Sequence, residues 1–205
     1  MPECASAGLS LSLVPINEPG RQRADAVRNR ARVLDAAMRV AARDGAANLT
    51  MDAVAAEAKV GKGTVFRHFG DRTGLIGALL DQAEHELQEG FLNGPPPLGP
   101  GADPHQRLLA FGSAVLHHEQ DHQDLYHAVV KDTHRRFTVP ARQVRYTHVT
   151  MLVRQLDPTM DAELMAHTLL GFLDTALTNH LLRERGMKLD RLEAAWKDLV
   201  NRLCS

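Results

Sequence analysis

Apolar residues recur at three- and four-residue steps along most of this chain, the spacing that lines one buried face of an α-helix. Val27, Ala31, Leu34, Ala37, Met38, Ala41 and Ala42 form the first such stripe, which follows Pro15, Pro19 and Gly20 and stops near Gly45. Thr50 can cap a second, short helix with Val54, Ala55 and Ala58 inward, Asp52 placed to favour the helix dipole, and an end about Lys59. Gly61 and Gly63 then flank Lys62, and Thr64 to Phe69 make a third short helix that Gly70 terminates. Asp71 can N-cap a long fourth helix, striped by Leu75, Ile76, Leu79, Leu80, Ala83 and Leu87 and running to about Phe91.

Beyond it, residues 93–103 are too rich in Pro and Gly for helix and predict a mobile loop. Helices resume at about Pro104–Glu119, Asp121–Asp132, Pro140–Leu156, Asp161–Glu184 and Asp190–Leu203, from Asp and Pro starts and apolar spacing. No stretch alternates with period two, and aromatic residues are 4% of the chain, so an all-α fold needs no hidden sheet.

Two short helices separated by a tight, glycine-bearing turn are the helix-turn-helix pattern, and charge supports that reading. The whole chain carries only −1, so it is not the strongly basic object that non-specific nucleic-acid binding favours. From Arg21 to Arg72, however, eleven basic residues face six acidic ones, a local +5 that leaves about −6 for the remainder. A basic head on an acidic body suits a nucleic-acid-binding unit joined to a non-binding one. The two cysteines, Cys4 and Cys204, have no CxxC spacing, which fits a reducing cytoplasm. The stretch from Met1 to Gly20 lacks a basic n-region, and its apolar run at Leu9–Val14 is too short for a signal peptide or a membrane span. It reads as a flexible tail.

The segment from Leu49 to Leu75, with Thr50, Val54, Ala55, Glu57, Val60, Gly63, Phe66, His68, Phe69 and Leu75, resembles the signature of the TetR family of transcriptional regulators. The likeness covers roughly Val27 to Leu80. It implies an N-terminal three-helix helix-turn-helix DNA-binding domain over residues 23–72, behind a tail at 1–22, and a C-terminal helical-bundle regulatory and dimerisation domain over 73–205. A recognition helix must be held by apolar residues on one side while short polar and basic ones enter the major groove. Val65 and Phe69 supply the packing side, leaving Lys62, Gly63, Thr64, Phe66, Arg67 and His68 toward DNA. Phe66 stands where the family more often has a tyrosine, so one phosphate hydrogen bond is lost while contact with sugar or a thymine methyl remains. By resemblance, Thr50, Arg72 and Thr73 contact backbone phosphate. Gly61 replaces a frequent serine and leaves the recognition helix without a capping hydroxyl. Arg21, Arg23, Arg28 and Arg30 form a basic arm able to add phosphate or minor-groove contacts.

A single helix-turn-helix makes few contacts, so a homodimer reading two half-sites of a palindromic operator is expected, as a repressor. The interface is expected on the last two helices, through Leu169, Leu170, Phe172, Leu173, Ala176, Leu177 and Leu181 and through Leu192, Trp196, Leu199 and Leu203. The resemblance also implies a small-molecule effector that releases DNA, bound among the middle helices, with Phe111, Val115, Tyr126, Met151, Met165 and Phe172 as the expected lining. A constitutive, effector-independent regulator shares the same head. His117, His118, Glu119, Asp121, His122 and His127 crowd together, and His118 and His122 lie four apart, one face of a helix and a metal-ligand spacing, if Glu119, His127 or His134 completes the set. A helix start at Asp121 would destroy that spacing. Glu119-x-x-His122 occurs once where di-iron bundles need it twice, and there is no HExxH, GxSxG or phosphate loop, so no enzyme, no cofactor and no membrane partner are implied.

Overall fold

The computed structural model describes residues 19–129 and 140–203, and every regular element among them is helical. The expected tail at 1–22 and His134 fall largely or wholly outside the described residues. The order is α1 (Pro19–Asp44), α2 (Met51–Ala58), α3 (Lys62–Phe69), α4 (Arg72–Asn93), α5 (Pro104–Asp121), α6 (Gln123–Val129), α7 (Pro140–Leu156), α8 (Ala162–Phe172), α9 (Thr175–Asn179), a π turn (His180–Glu184) and α10 (Leu189–Leu203).

Two hydrophobic clusters organise these helices. In the first, Val33, Leu34, Ala36, Ala37 and Val40 of α1 pack on Val54, Ala55 and Ala58 of α2, Val65 and Phe69 of α3, and Leu75, Ile76 and Leu79 of α4. Leu125 of α6 reaches into the same cluster and ties it to the body. The second gathers Phe91 of α4, Leu108, Phe111 and Val115 of α5, Val149, Leu152 and Val153 of α7, Ala166, Leu169 and Leu170 of α8, and Leu192, Trp196 and Val200 of α10. One unbroken helix, α4, feeds Leu75 into the first cluster and Phe91 into the second, about 24 Å further along its axis at 1.5 Å per residue.

Four expectations change. Val27, at 68% exposure, along with Ala31 and Ala42, faces solvent, and the inward stripe of α1 begins at Val33. Residues 94–103 form turns fastened to the core, with the Gly99 amide on the Pro95 carbonyl at 3.0 Å and Leu98 packed against the second cluster. The expected helix from Asp161 to Glu184 breaks at Leu173, because the Asp174 carboxylate accepts from the Ala176 and Leu177 amides and starts α9. Conversely, α5 runs through Asp121 to a C-cap at His122, so no helix starts at Asp121.

Candidate nucleic-acid interface

The Thr50 Oγ1 accepts from the Ala53 amide at 3.1 Å and starts α2. Lys59 ends it in the left-handed region, φ 54°, with the Val60 amide returning to the Ala55 carbonyl at 3.0 Å. Gly61 caps α3 with extended backbone and no side-chain hydrogen bond, as expected from the missing hydroxyl. Val65 and Phe69 are buried, which turns Lys62, Gly63, Phe66 and Arg67 outward and leaves Thr64 and His68 half-buried at the rim. Phe66, 40% exposed, is an apolar ring in a polar surface, and the Lys62 ammonium lies 5.8 Å from its centroid. Lys62 also pairs with Asp52 of α2 at 2.7 Å, a bond between two exposed groups that contributes little and yields readily to a phosphate.

The junction to α4 is built tightly. Asp71 caps α4 through the Gly74 amide at 2.8 Å, and a Cβ on Gly74 would stand 2.1 Å from the Phe69 carbonyl oxygen. Only glycine permits that approach of α3 to α4. Arg72, expected at phosphate, sends its side chain the other way: Nε donates to the Leu49 carbonyl at 2.9 Å and a terminal nitrogen to the Ala46 carbonyl at 2.6 Å. It clamps the turn before α2 onto the start of α4, while Thr73 stays exposed at the helix N-terminus.

Beside the outward face of α3 lies an open cleft of about 960 Å³ lined by Asp25, Arg28, Asn29 and Arg32 of α1 with Arg67 and His68. Arg28 is paired with Asp25, whereas Arg32 and Arg67 have no carboxylate partner among the described residues. Arg30 covers the Phe69 ring at 5.3 Å, so it braces α3. The side chains of Arg21 and Arg23 fall outside the described residues. Further along α1, Arg39 and Arg43 hold Glu57 of α2 at 2.9 and 3.2 Å.

These short helices, turn and caps coincide with a match to the family model described as bacterial regulatory proteins, tetR family, over residues 33–79. Residues 33–79 form a head that matches the TetR family. Two curated Pseudomonas putida proteins, the HTH-type transcriptional regulator SrpR and the uncharacterized HTH-type transcriptional regulator TtgW, are each 34% identical to it over 68 residues. That is 33% of this chain, 32% of SrpR and 51% of TtgW, so the match spans about a third and about half the length of those relatives. Beyond the TetR head the likeness is one of fold. A TetR-like transcriptional regulator from Rhodococcus sp. RHA1 superposes with a TM-score of 0.55 at 21% identity, over 85% of this chain and 94% of that one.

In the body of the chain, four of the six residues expected to line an effector pocket meet at the second cluster, and Tyr126 and Met151 lie apart from it. Phe111 and Val115 are in the second cluster, and Met165 and Phe172 lie half-buried against it, with Phe172 on Trp196. Tyr126 turns its hydroxyl toward His118 Nε2 at 3.2 Å. Met151 is 38% exposed on a surface groove of about 430 Å³ shared with Tyr146, Thr150, Arg154 and Glu163. His118 and His122 do share a face, ring centroids 4.7 Å apart, but His122 Nδ1 is bonded to the His118 carbonyl. Among the described residues no three His, Cys, Asp or Glu side chains are grouped to hold a metal.

Sequence reasoning missed the buried polar groups around them. Arg145 of α7 holds Glu84 of α4 through two hydrogen bonds and reaches Glu119 of α5 at 3.3 Å. Burial pushes Glu119 up, opposed in part by Arg145, and pushes His118 down to about 3, helped by the Arg145 charge. One turn further along α7, His148 lies against Phe91 and Phe111 near Arg107. No spacing in the sequence marks these groups, since each partner comes from a different helix.

Proposed function

We propose that this chain is a cytoplasmic repressor that binds a palindromic operator as a homodimer and is released by a small-molecule effector. The observation that carries the reading is the division of α3: Val65 and Phe69 in the core, Lys62, Phe66 and Arg67 projecting from one exposed face beside an arginine-lined cleft. In this reading residues 23–72 dock on DNA and residues 73–205 carry dimerisation and effector response. Thr50 and Thr73 meet phosphate at helix N-termini, Lys62 and Arg67 add charge, Gly63 allows close backbone approach, and Thr64, Phe66 and His68 meet sugars or base edges. Arg72 braces the docking surface from behind.

Dimerisation is supported by the outer side of α8, where Leu164 is 64% exposed and His167, Thr168 and Gly171 present small or flat surfaces, with Leu177 39% exposed on α9. Release by an effector is supported by α4, whose two ends belong to different clusters, so that a shift at Phe91 is transmitted to Thr73. No helix among the described residues is long and apolar enough to cross a membrane.

The test is fluorescence anisotropy of the full chain on duplex DNA across a salt series. Lys62→Ala is expected to weaken binding to all duplexes alike and to reduce the slope of log K against log salt by about one. An unchanged slope would remove Lys62 from the interface, and loss confined to particular sequences would make it a reader of bases.

A further inference from the structure

Arg107 of α5 is only 9% exposed and has no carboxylate beside it among the described residues. Its terminal nitrogen donates to the Phe91 carbonyl at 3.2 Å, in the last turn of α4, while Nε has no partner among the described residues. Facing it, His148 of α7 is 3% exposed with both ring nitrogens unpartnered, its ring 4.5 Å from Phe91 and 5.3 Å from Phe111 between centroids. Burial and the Arg107 charge hold His148 down to about 4, so it stays neutral and offers one N–H.

Buried donors without acceptors are rare because they forfeit their hydration for nothing, and a buried guanidinium without a counter-charge is rarer. The same body supplies the contrast: one turn away, Arg145 is met by two carboxylates. The donors that lack partners around Arg107 are a guanidinium and an imidazole, against two flat aromatic walls. The missing complement is a monoanion with two acceptor oxygens on an apolar skeleton, and a planar carboxylate fits the guanidinium fork. A phosphate dianion would leave a charge unbalanced with only one cation present.

We propose that Arg107 and His148 anchor a buried site for a monocarboxylate with an aliphatic or aromatic skeleton, which opens between Phe91 and Phe111. It rests on the reading of the body as effector-responsive and names the effector's class. The carboxylate competes with the Phe91 carbonyl for the Arg107 guanidinium, and freeing that carbonyl loosens the last turn of the helix whose first turn bears Thr73.

The experiment uses the full chain with straight-chain acids from acetate to dodecanoate, benzoate and phenylacetate, each beside its primary amide. Binding is read from the melting temperature and from the fluorescence of Trp196, the single tryptophan, whose indole N–H lies 3.2 Å from the Leu108 carbonyl next to Arg107. At least one acid is expected to raise the melting temperature saturably while its amide does not, and Arg107→Met to weaken that acid by about tenfold or more. The proposal is overturned if every acid behaves as its amide does, or if Arg107→Met responds as the native chain does. Arg107→Gln and the acid-against-amide contrast in the native chain carry the test if Arg107→Met does not fold. DNA binding is measured separately. An acid that binds through Arg107 but leaves DNA bound keeps the site and contradicts release, and a chain that binds the acid but no DNA keeps the site and removes the repressor reading.

Discussion

His148 refuses a proton in the folded chain that the unfolded chain accepts. Its folded value of about 4, set by burial and by Arg107, lies well below the ordinary 6.5, so between those limits the unfolded state binds more protons. Stability contributed by keeping His148 neutral is therefore complete above pH 6.5 and is lost as the pH falls toward 4, with a slope of up to about 1.4 kcal/mol per pH unit. His118 acts in the same direction over a window reaching down to about 3, and Glu119, raised by burial, opposes both as the pH falls toward the ordinary carboxylate range. The melting temperature is expected to fall between about pH 7 and pH 5. His148→Phe keeps the aromatic contacts with Phe91 and Phe111, and is expected to raise the melting temperature and flatten this profile. A profile as steep as that of the native chain would show that the histidine titrates freely in the folded state. At the same scale Arg72 illustrates how a basic residue expected at phosphate can serve the fold instead, since two backbone carbonyls claim its guanidinium.

Among the elements, α5 and α10 set the tightest constraint. A Cβ on Gly112 would stand 1.9 Å from the Trp196 indole, which is fully buried and donates to the Leu108 and Leu109 carbonyls. Gly112→Ala is expected to destabilise by about 1–3 kcal/mol in urea unfolding, outweighing the gain of about 1 kcal/mol in helix propensity. A stabilised variant would mean that α10 slides freely on α5. Signals carried by neighbouring residues were legible: Thr50, Asp71 and Asp161 cap helices as their side chains suggest, and Val65 and Phe69 turn inward at their four-residue spacing. What depends on distant partners was not. The apolar stripe of Leu192 and Trp196, expected at a dimer interface, lies in the chain's own second cluster, along with Leu169, Leu170 and Leu173, because an apolar stripe does not reveal which helix covers it. Asp174 looks like any acidic residue within an apolar helix until its carboxylate is found on the Ala176 and Leu177 amides. Arg107 and His148 are 41 positions apart, and only the packing of α4, α5 and α7 brings them to Phe91.

For the whole molecule, the division of charge between a basic head and an acidic body now has a geometric counterpart. Arg32, Arg67 and Lys62 lie on or beside the outward side of α3, while Glu84, Glu119 and Arg145 are buried together between α4, α5 and α7. The helix α4 spans both regions, so the head cannot be reoriented without moving a helix that carries buried charge and the Phe91 aromatic contact. A dimer built on α8 would present two copies of α3, each on its own α4 lever, and the separation of the two would set which DNA is bound. The most direct measurement is selection of duplexes from a random-sequence library by the full chain, followed by sequencing of the bound fraction. The account predicts enrichment of an inverted repeat whose half-sites are centred about one helical turn, or a multiple of it, apart. Enrichment of a lone, unrepeated motif, or a bound fraction indistinguishable from the starting library, would contradict it.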